Sequence, residues 1–331
     1  MAVVGQTYLT LADKLKQTVD GKVTGEIIEM LAETNDVLLD AEVIECNDGT
    51  SHKTVVRSTL PTAEFRTFYQ GVNPSKSGAT QVVDTTAMLE TYSEVDAKLA
   101  DLNNDKAQFL LNEAQAFLSS MNNSCQANLF YGSKGSNSSA FDGLAVRYSK
   151  LSASKTSIGS RIIDAGGTGS DNTSIYFVTW GKLHTAMIYP KGTQAGIKRE
   201  NKGQVTKQNS DGTMYEVYRE HFSWDLGLSI RDFRSSGRIA NIDVSDLDTG
   251  SAADLLKLMV KMYHKLHRFA TTGRMSIYVN ETVFTALHLQ AMAKTNVHLT
   301  LSEVAGQPVV NFLGIPVRLC DQILNTESRV V

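Results

Sequence analysis

The chain has 331 residues, of which 42% are hydrophobic and 20% are charged, so it can bury a substantial core and differs from disordered proteins. Its 32 basic and 35 acidic residues leave a net charge of −3, which argues against a protein whose main task is to bind phosphate. Three isolated cysteines imply neither a disulfide framework nor a zinc knuckle. No window approaches the ~18 apolar residues of a membrane span, and the absence of a signal-peptide pattern favours synthesis in the cytoplasm.

Residues 1–23 are predicted to form an arm, after which Thr24 opens a short helix. The chain from 40 to 90 is predicted to be extended, with two strands around the hairpin signal Asn47-Asp48-Gly49-Thr50, a further extended segment at 64–69 and a loop at 71–78. An isolated hairpin is marginal in water, so this segment is expected to lie on another surface, for which a neighbouring subunit is one candidate.

One long amphipathic helix is predicted from Ser93 to Gly132, because apolar residues recur along it at a period near 3.6. Ser93 and Asp96 have the spacing of a capping box, and Gly132 is expected to supply a left-handed stop. The poor helix formers at 122–124 could break the helix near its end. A stripe of this length predicts a long partner surface, either a sheet or a neighbouring subunit.

The rest of the chain is predicted to be rich in strands. A Ser-, Gly- and Thr-rich linker at 150–174 precedes strands at 175–180 and 185–189, and a hairpin turn at Asp211-Gly212 precedes extended arms at 214–224 and 226–231. A capping box at Ser251 and Asp254 opens a helix that ends near 268, a strand follows at 275–279, and Asn280 caps a helix that ends near 294. Two short strands at 308–312 and 315–320 end the chain. The fold class is therefore α+β, without the βαβ alternation of a doubly wound sheet.

No catalytic, cofactor-binding or metal-binding residue is assigned. The glycine-rich stretch 165–170 lacks the lysine of a phosphate loop, and His264 and His267 lack an acidic partner at the spacing of a zincin. Basic residues between 198 and 238 interleave with acidic ones, which favours inter-subunit ion pairs over a nucleic-acid patch. The basic residues considered are Lys198, Arg199, Lys202, Arg219, Arg231, Arg234 and Arg238.

Several stretches match, in collinear order along the chain, the tailed-phage major capsid proteins of the Hong Kong 97-type fold, most closely those of short-tailed phages (podoviruses) and related prophages. They include 31–35, 56–57 with 60–62, 71–72 with 75–77, 88–90, 94–96, 129–132, 165–174, 238–245, and 314–318 through 323–327. The sequence therefore resembles that family along its whole length. One departure is Ser235-Ser236-Gly237, which stands where bulkier residues are expected.

The resemblance implies a domain order. It comprises an N-terminal arm at 1–23, a P domain at 24–150 with an extended loop at about 40–85 and a spine helix at 94–130, an A domain with linkers at 151–294, and a return to the P domain at 295–331. It further implies a major capsid protein that assembles as pentamers and hexamers into an icosahedral head around double-stranded DNA. Such a protein is located in the virion, after assembly in the bacterial cytoplasm.

The resemblance also implies partners. Scaffolding, if used, is expected to be a separate protein, because the arm begins at residue 1; a cement protein and a portal at one vertex are further candidates. Contact with packaged DNA is expected to be non-specific, no membrane is involved, and the shell is expected to be non-covalent. Candidates for inter-subunit contacts are Lys53, Arg57, Phe65, Arg66, Phe68, Tyr69, Lys76, Arg231, Arg234 and Arg238.

Two alternatives stay open at this point. An encapsulin shell has the same fold but encloses a cargo protein. A hydrolase would need a nucleophile, a base and oxyanion donors between 165 and 234, which the sequence does not supply.

Overall fold

The computed structural model describes residues 9–19, 22–23, 36–102, 105–247, 254–270, 272–293, 299–304 and 307–331. The helix predicted to open at Thr24 and the first half of the capping box at Ser251 lie outside these ranges. The helices are α1 Leu11–Lys16, α2 Val37–Asp40, α3 Ala97–Asp101, α4 Lys106–Tyr131, α5 Leu144–Arg147, α6 Leu255–Leu266 and α7 Glu281–Ala293. Two 3-10 turns cover Ile158–Arg161 and His267–Phe269. No helix in the described ranges is long and apolar enough to cross a membrane.

The described ranges also contain sixteen strands. They are β1 Thr18–Val19, β2 Lys22–Val23, β3 Val43–Glu45, β4 Ser51–Thr59, β5 Gly78–Thr85, β6 Ala87–Asp96, β7 Ile162–Asp164, β8 Asn172–Trp180, β9 Thr185–Tyr189, β10 Lys198–Gln208, β11 Met214–Ile230, β12 Gly237–Asp243, β13 Arg274–Val279, β14 Leu299–Val304, β15 Gln307–Phe312 and β16 Ile315–Leu319.

The chain divides into two compact units. The first, here called the helix unit, contains Met1–Thr34, Met88–Gln126 and Ala195–Asp225. The second, here called the sheet unit, contains Asn35–Ala87, Ala127–Gln194 and Leu226–Val331. Strand β16 pairs in parallel with β13, which joins the last residues of the chain to the same sheet.

The predicted 40-residue helix is wrong at its start. Its first residues belong to strand β6, and two separate helices follow, α3 and α4. Asp96 is the N-cap of α3, where its carboxylate accepts from the backbone N–H groups of Lys98 and Leu99 at 2.9 and 3.2 Å. Leu102 ends α3 in an extended conformation. The residues at 122–124 do not break α4, which continues to Tyr131.

Gly132 ends α4 for a different reason from the one predicted. It does not adopt a left-handed conformation. A Cβ at this position would instead lie 2.5 Å from the backbone oxygens of both Asn128 and Phe141. The glycine is needed because the returning chain passes directly against the end of the helix, where Gly143 N–H donates to the Gly132 carbonyl at 2.8 Å.

Strand β8 is the centre of the sheet unit, and every one of its residues is buried. It pairs antiparallel with β12 on one side and β13 on the other, and meets β9 in parallel at a single position. Helix α6 packs on this sheet through Leu255, Met259, Met262 and Leu266, as predicted. Asn280 caps α7, since its Oδ1 accepts from Val283 N–H at 3.0 Å. Runs of consecutive strands with few helices, and no regular βαβ alternation among the described elements, confirm the α+β fold.

The Ser235-Ser236-Gly237 departure fits this packing. Thr179 N–H donates to Ser236 Oγ at 3.1 Å, and Thr179 Oγ1 donates to the Ser235 carbonyl at 2.6 Å. A Cβ on Gly237 would lie 2.7 Å from both the Arg161 carbonyl and the Met262 sulfur. Small residues are therefore required here, because the hydroxyls provide hydrogen bonds and the glycine provides room.

The helix unit contains the predicted hairpin at Asp211-Gly212. Strand β10 pairs antiparallel with β11 from Lys198↔Ser223 to Gln208↔Met214. The two predicted arms on either side of 225 are a single strand, β11. The core of this unit contains Val95, Ala100 and Phe109.

A buried lysine ties the N-terminal segment to this unit. Lys14 Nζ donates to the carbonyls of Leu99, Ala100 and Leu102 at 2.6, 3.0 and 2.7 Å. These carbonyls belong to the last turn of α3, where a cation is favoured by the helix dipole. Burial lowers the pKa of Lys14, while Asp105 and Asp101 oppose that shift.

Candidate assembly surfaces

An extended arm projects from the sheet unit as an antiparallel pair, β4 and β5, that runs from Ser51↔Thr85 to Thr59↔Gly78. The predicted turn at 47–50 is present, since Asp48 and Ser51 exchange two backbone hydrogen bonds. It does not join the two strands of a hairpin, however, because β3 pairs in parallel with β9. The arm is therefore a hairpin whose long connection is 60–77.

The arm tip, residues 60–77, contains no strand, so the extended segment predicted at 64–69 does not join a sheet. It is tied internally by polar contacts, including Ser75 Oγ to the Thr62 carbonyl at 2.9 Å. Its aromatic side chains do not pack against the rest of the arm, since the relative exposures are 109% for Phe65, 94% for Phe68 and 106% for Tyr69. Three fully solvated aromatic rings on one loop form an apolar surface without a partner in the described part of the chain.

The charged candidates on the arm are also at its surface. Lys53 forms an ion pair with Asp48 near the base of the arm. Arg57 and Lys76 are exposed, and Arg66 donates to the Gln70 carbonyl at 3.3 Å. All seven predicted contact residues between 53 and 76 are thus available to another molecule.

The root of the arm is held by a buried polar group. His52 and Asp84 are cross-strand partners, and both are almost fully buried. Asp84 accepts hydrogen bonds from Arg147 and, at 2.8 Å, from Ser229 Oγ. Arg231 donates to His52 Nε2, so this nitrogen must carry a lone pair and the imidazole must be neutral. Burial and the Arg231 charge lower the pKa of His52, and Asp84 opposes them. The arm is therefore anchored at its root and free at its tip.

Arg238 must be removed from the contact candidates. Its side chain is 4% exposed and pairs with Glu327 at 2.9 Å, and it also donates to Ser174 Oγ at 2.9 Å. Its buried guanidinium is bound within the chain and is not accessible to a neighbouring subunit. Arg234 is exposed, although it pairs with Asp232 at 2.8 Å. Arg231 is half-buried and, as described above, is engaged with His52.

The alternation of charge between 198 and 238 is satisfied largely within the chain. In the helix unit Arg199 forms a two-point ion pair with Glu220, at 3.0 and 2.7 Å, across the β10–β11 pair. Glu94 accepts from Arg219 at 2.7 Å and also from Lys207. For these residues the prediction of inter-subunit ion pairs is wrong, because cross-strand neighbours were the nearer partners.

The positions considered for chemistry are structural. The loop at 165–170 joins β7 to β8, and Gly167 is close to the Asn241 carbonyl. His264 and His267 pack against the Tyr263 ring. The described residues contain no group of three or more metal-binding side chains.

The cysteine thiols do not suit a nucleophile. Burial raises the pKa of Cys125 to about 12. Burial, with Glu45 and Asp84 nearby, raises the pKa of Cys46 to about 11. Both thiols stay protonated near neutral pH, whereas nucleophilic catalysis requires the thiolate.

Comparisons with known proteins agree with this structural role. A chain of the cryo-EM structure of bacteriophage Epsilon15 is 37% identical, with a TM-score of 0.79, and the match covers 100% of this chain and 99% of that one. More distant similarities include the bacteriophage JBD30 capsid, at 9% identity, 89% and 93% coverage and a TM-score of 0.49. The SrpI encapsulin of Synechococcus elongatus PCC 7942 is 9% identical, with a TM-score of 0.43, and the match covers 70% of this chain and 95% of that one. None of the curated proteins matches.

The family model described as "Major capsid protein GP7" matches residues 18–331. Together with the Epsilon15 match, it confirms the predicted Hong Kong 97-type capsid fold. It also confirms a structural role in the shell of the phage head, and favours neither the hydrolase nor the encapsulin. The chain belongs to the GP7 family of major capsid proteins.

Proposed function

We propose that many copies of this chain close, as pentamers and hexamers, into the icosahedral head that encloses double-stranded phage DNA. The observation that carries the proposal is the solvated aromatic tip of the arm. Three solvated aromatic rings on one loop mark an interaction surface, and in a shell of identical subunits the surface that covers them belongs to the adjacent copy.

Tip residues supply the affinity of this contact. Burying one Phe or Tyr side chain contributes about 1.5–3 kcal/mol, so three rings contribute several kcal/mol for each arm. An arm anchored by Asp84 and His52 at its root loses little order on binding, which lowers the entropic cost of association. Scaffolding, cement and portal proteins remain predicted partners, as does non-specific proximity to DNA.

Negative-stain electron microscopy and sedimentation velocity of the purified protein at high concentration test the proposal. We expect closed shells or capsomer-sized rings, with or without an added scaffolding protein. A chain that stays monomeric in both conditions would contradict it.

A triple variant tests the arm itself. Replacing Phe65, Phe68 and Tyr69 by Ser should raise the concentration needed for assembly by at least about 100-fold, since 1.4 kcal/mol corresponds to a factor of ten. The matched control replaces three other exposed apolar residues, Leu39, Leu183 and Leu289, by Ser. Equal effects of the two triple variants on the assembly concentration would show that the arm-tip rings contribute no more to assembly than other exposed apolar side chains.

A further inference from the structure

Three arginines surround one aromatic ring in the sheet unit. The guanidinium carbons of Arg161, Arg234 and Arg268 lie 4.9, 4.8 and 4.7 Å from the centroid of Phe269. No two of them can therefore be more than about 10 Å apart, which is within one Debye length at ordinary salt. Lys265 adjoins them, because its carbonyl accepts from Arg161 Nη1 at 2.7 Å and because burial, with the nearby Arg161 charge, lowers the pKa of its ammonium. These four cations are here called the basic cluster.

The basic cluster is not neutralised within the described part of the chain. Its one carboxylate is Asp232, which pairs with Arg234. Arg161, Arg268 and Lys265 form no ion pair there. Arg161 is only 7% exposed, yet its buried Nε has no hydrogen-bond partner. Burial and the charges of Arg268 and Arg234 lower the pKa of Arg161, which shows that like charges are held together. An excess of three positive charges calls for an external anion.

Carboxylates without a cationic partner lie at the opposite end of the same strands. Strand β7 begins directly after Arg161 and ends at Asp164, and the parallel strand β12 ends at Asp243. Asp171 and Asp243 both have a carboxylate oxygen within 4 Å of the point where a Cβ on Gly169 would lie. None of Asp164, Asp171 and Asp243 forms an ion pair with a described residue. These three are here called the acidic cluster.

We infer that the basic cluster of one copy receives the acidic cluster of the next copy, in a head-to-tail contact between sheet units. This inference rests on the proposed assembly into pentamers and hexamers. Opposite charges at the two ends of one strand pair favour a contact between unlike surfaces, and repetition of such a contact around an axis closes a ring. The chain has a net charge of only −3, so the anion that balances the cluster is available on the chain itself.

Charge exchange tests the contact. Arg268 is exposed and Asp171 has no side-chain hydrogen bond among those described, so both positions tolerate substitution. We expect Arg268→Glu alone and Asp171→Lys alone to raise the assembly concentration at least tenfold. The double variant, which carries both exchanged charges, should return to within threefold of the wild type. Lys191→Glu, at an exposed lysine outside both clusters, is the control for net charge.

Mixing the two single variants gives a second measurement that does not depend on the double variant. R268E keeps the acidic cluster intact and D171K keeps the basic cluster intact, so an equimolar mixture should associate at a concentration where neither does alone. Circular dichroism confirms that each is folded. The inference would be overturned if the single variants assembled as well as the wild type, or if the double variant assembled less well than either single variant. Either result would leave the capsid function intact.

An anion of a different class would also overturn it. If the wild type binds a 30-bp DNA duplex, R268E loses that binding and assembly is unchanged, then the basic cluster contacts packaged DNA instead of a neighbouring subunit. Failure of the wild type to assemble under any condition would instead refute the proposed function.

Discussion

Replacing Arg238 by Met should destabilise the sheet unit more than any other single arginine replacement in it. Arg238 and Glu327 side chains are each 4% exposed and meet at 2.9 Å. Arg238 also donates to the Tyr148 carbonyl at 2.9 Å. Without the guanidinium, the Glu327 carboxylate stays buried beside Tyr131 and Tyr176 with no cation. Removal of one partner from a buried ion pair costs about 3–5 kcal/mol.

Equilibrium urea unfolding of the unassembled chain measures this cost. With a slope of about 2–3 kcal/mol per molar urea, a loss of 3–5 kcal/mol lowers the midpoint by about 1–2.5 M. Arg329→Met is the matched control, because Arg329 is exposed in the same C-terminal segment as Glu327 and should change stability by less than about 0.5 kcal/mol.

The double variant R238M/E327L separates the ion pair from packing. Replacing both charges removes the uncompensated carboxylate, so this variant should be more stable than R238M alone. A midpoint for R238M within about 0.3 M of the Arg329→Met control would refute the reasoning. It would mean that the hydroxyls of Tyr131, Tyr176 and Ser174, which all donate to Glu327, satisfy the carboxylate without the arginine.

Three further predictions concern the arm root, the helix unit and the end of α4. Because the pKa of His52 is lowered in the folded chain, the unfolded chain takes up the proton first as the pH falls, so the contribution of His52 to stability is complete above about pH 6.5 and is lost below it. His52→Gln should therefore reduce the fall of the urea midpoint with decreasing pH. An unchanged pH dependence in this variant would contradict the assignment. Lys14→Met removes three hydrogen bonds from a charged donor and should speed amide exchange in α3 at least tenfold, whereas unaltered exchange would show that the lysine is not needed. Gly132→Ala should cost about 1–3 kcal/mol in thermal unfolding, while Gly135→Ala, whose Cβ meets only Ser133 Oγ at 3.7 Å, should cost little; equal costs would refute the close-approach argument.

The sequence predicted most elements whose signals are local. The amphipathic stripe of α6, the cap at Asn280 and the turn at Asp211-Gly212 are each set by residues within a few positions, and all three are present. The prediction of where the long helix begins was wrong because burial along residues 87–96 alternates with the period of two that is typical of a strand. Strand β6 pairs with β11, which lies more than a hundred residues away, and this distant pairing favours a strand over a helix.

The candidate site shows the same division. The arm-tip aromatics are exposed because nothing near them in sequence can cover them, and their role as contact residues stays a prediction. The burial of Arg238 could not be predicted, because its partner Glu327 is 89 residues away and neither lies in a recognisable motif. Likewise, the three arginines around Phe269 come from three separate segments, so their excess charge is visible only in the folded chain.

The two surfaces proposed for assembly should differ in their response to salt. The arm tip associates by burying apolar rings, an interaction that ordinary salt concentrations do not screen. The charged clusters are separated by at most a Debye length when docked, so raising salt from 0.1 to 1 M shortens that length from about 10 to 3 Å and weakens them. Exposed ion pairs contribute about 0–1 kcal/mol each, so high salt should leave subunits associated through their arms but reduce the fraction of closed rings. The arm would then supply most of the affinity between subunits, and the charges at the two ends of β7 and β12 would determine the orientation in which neighbouring subunits pack.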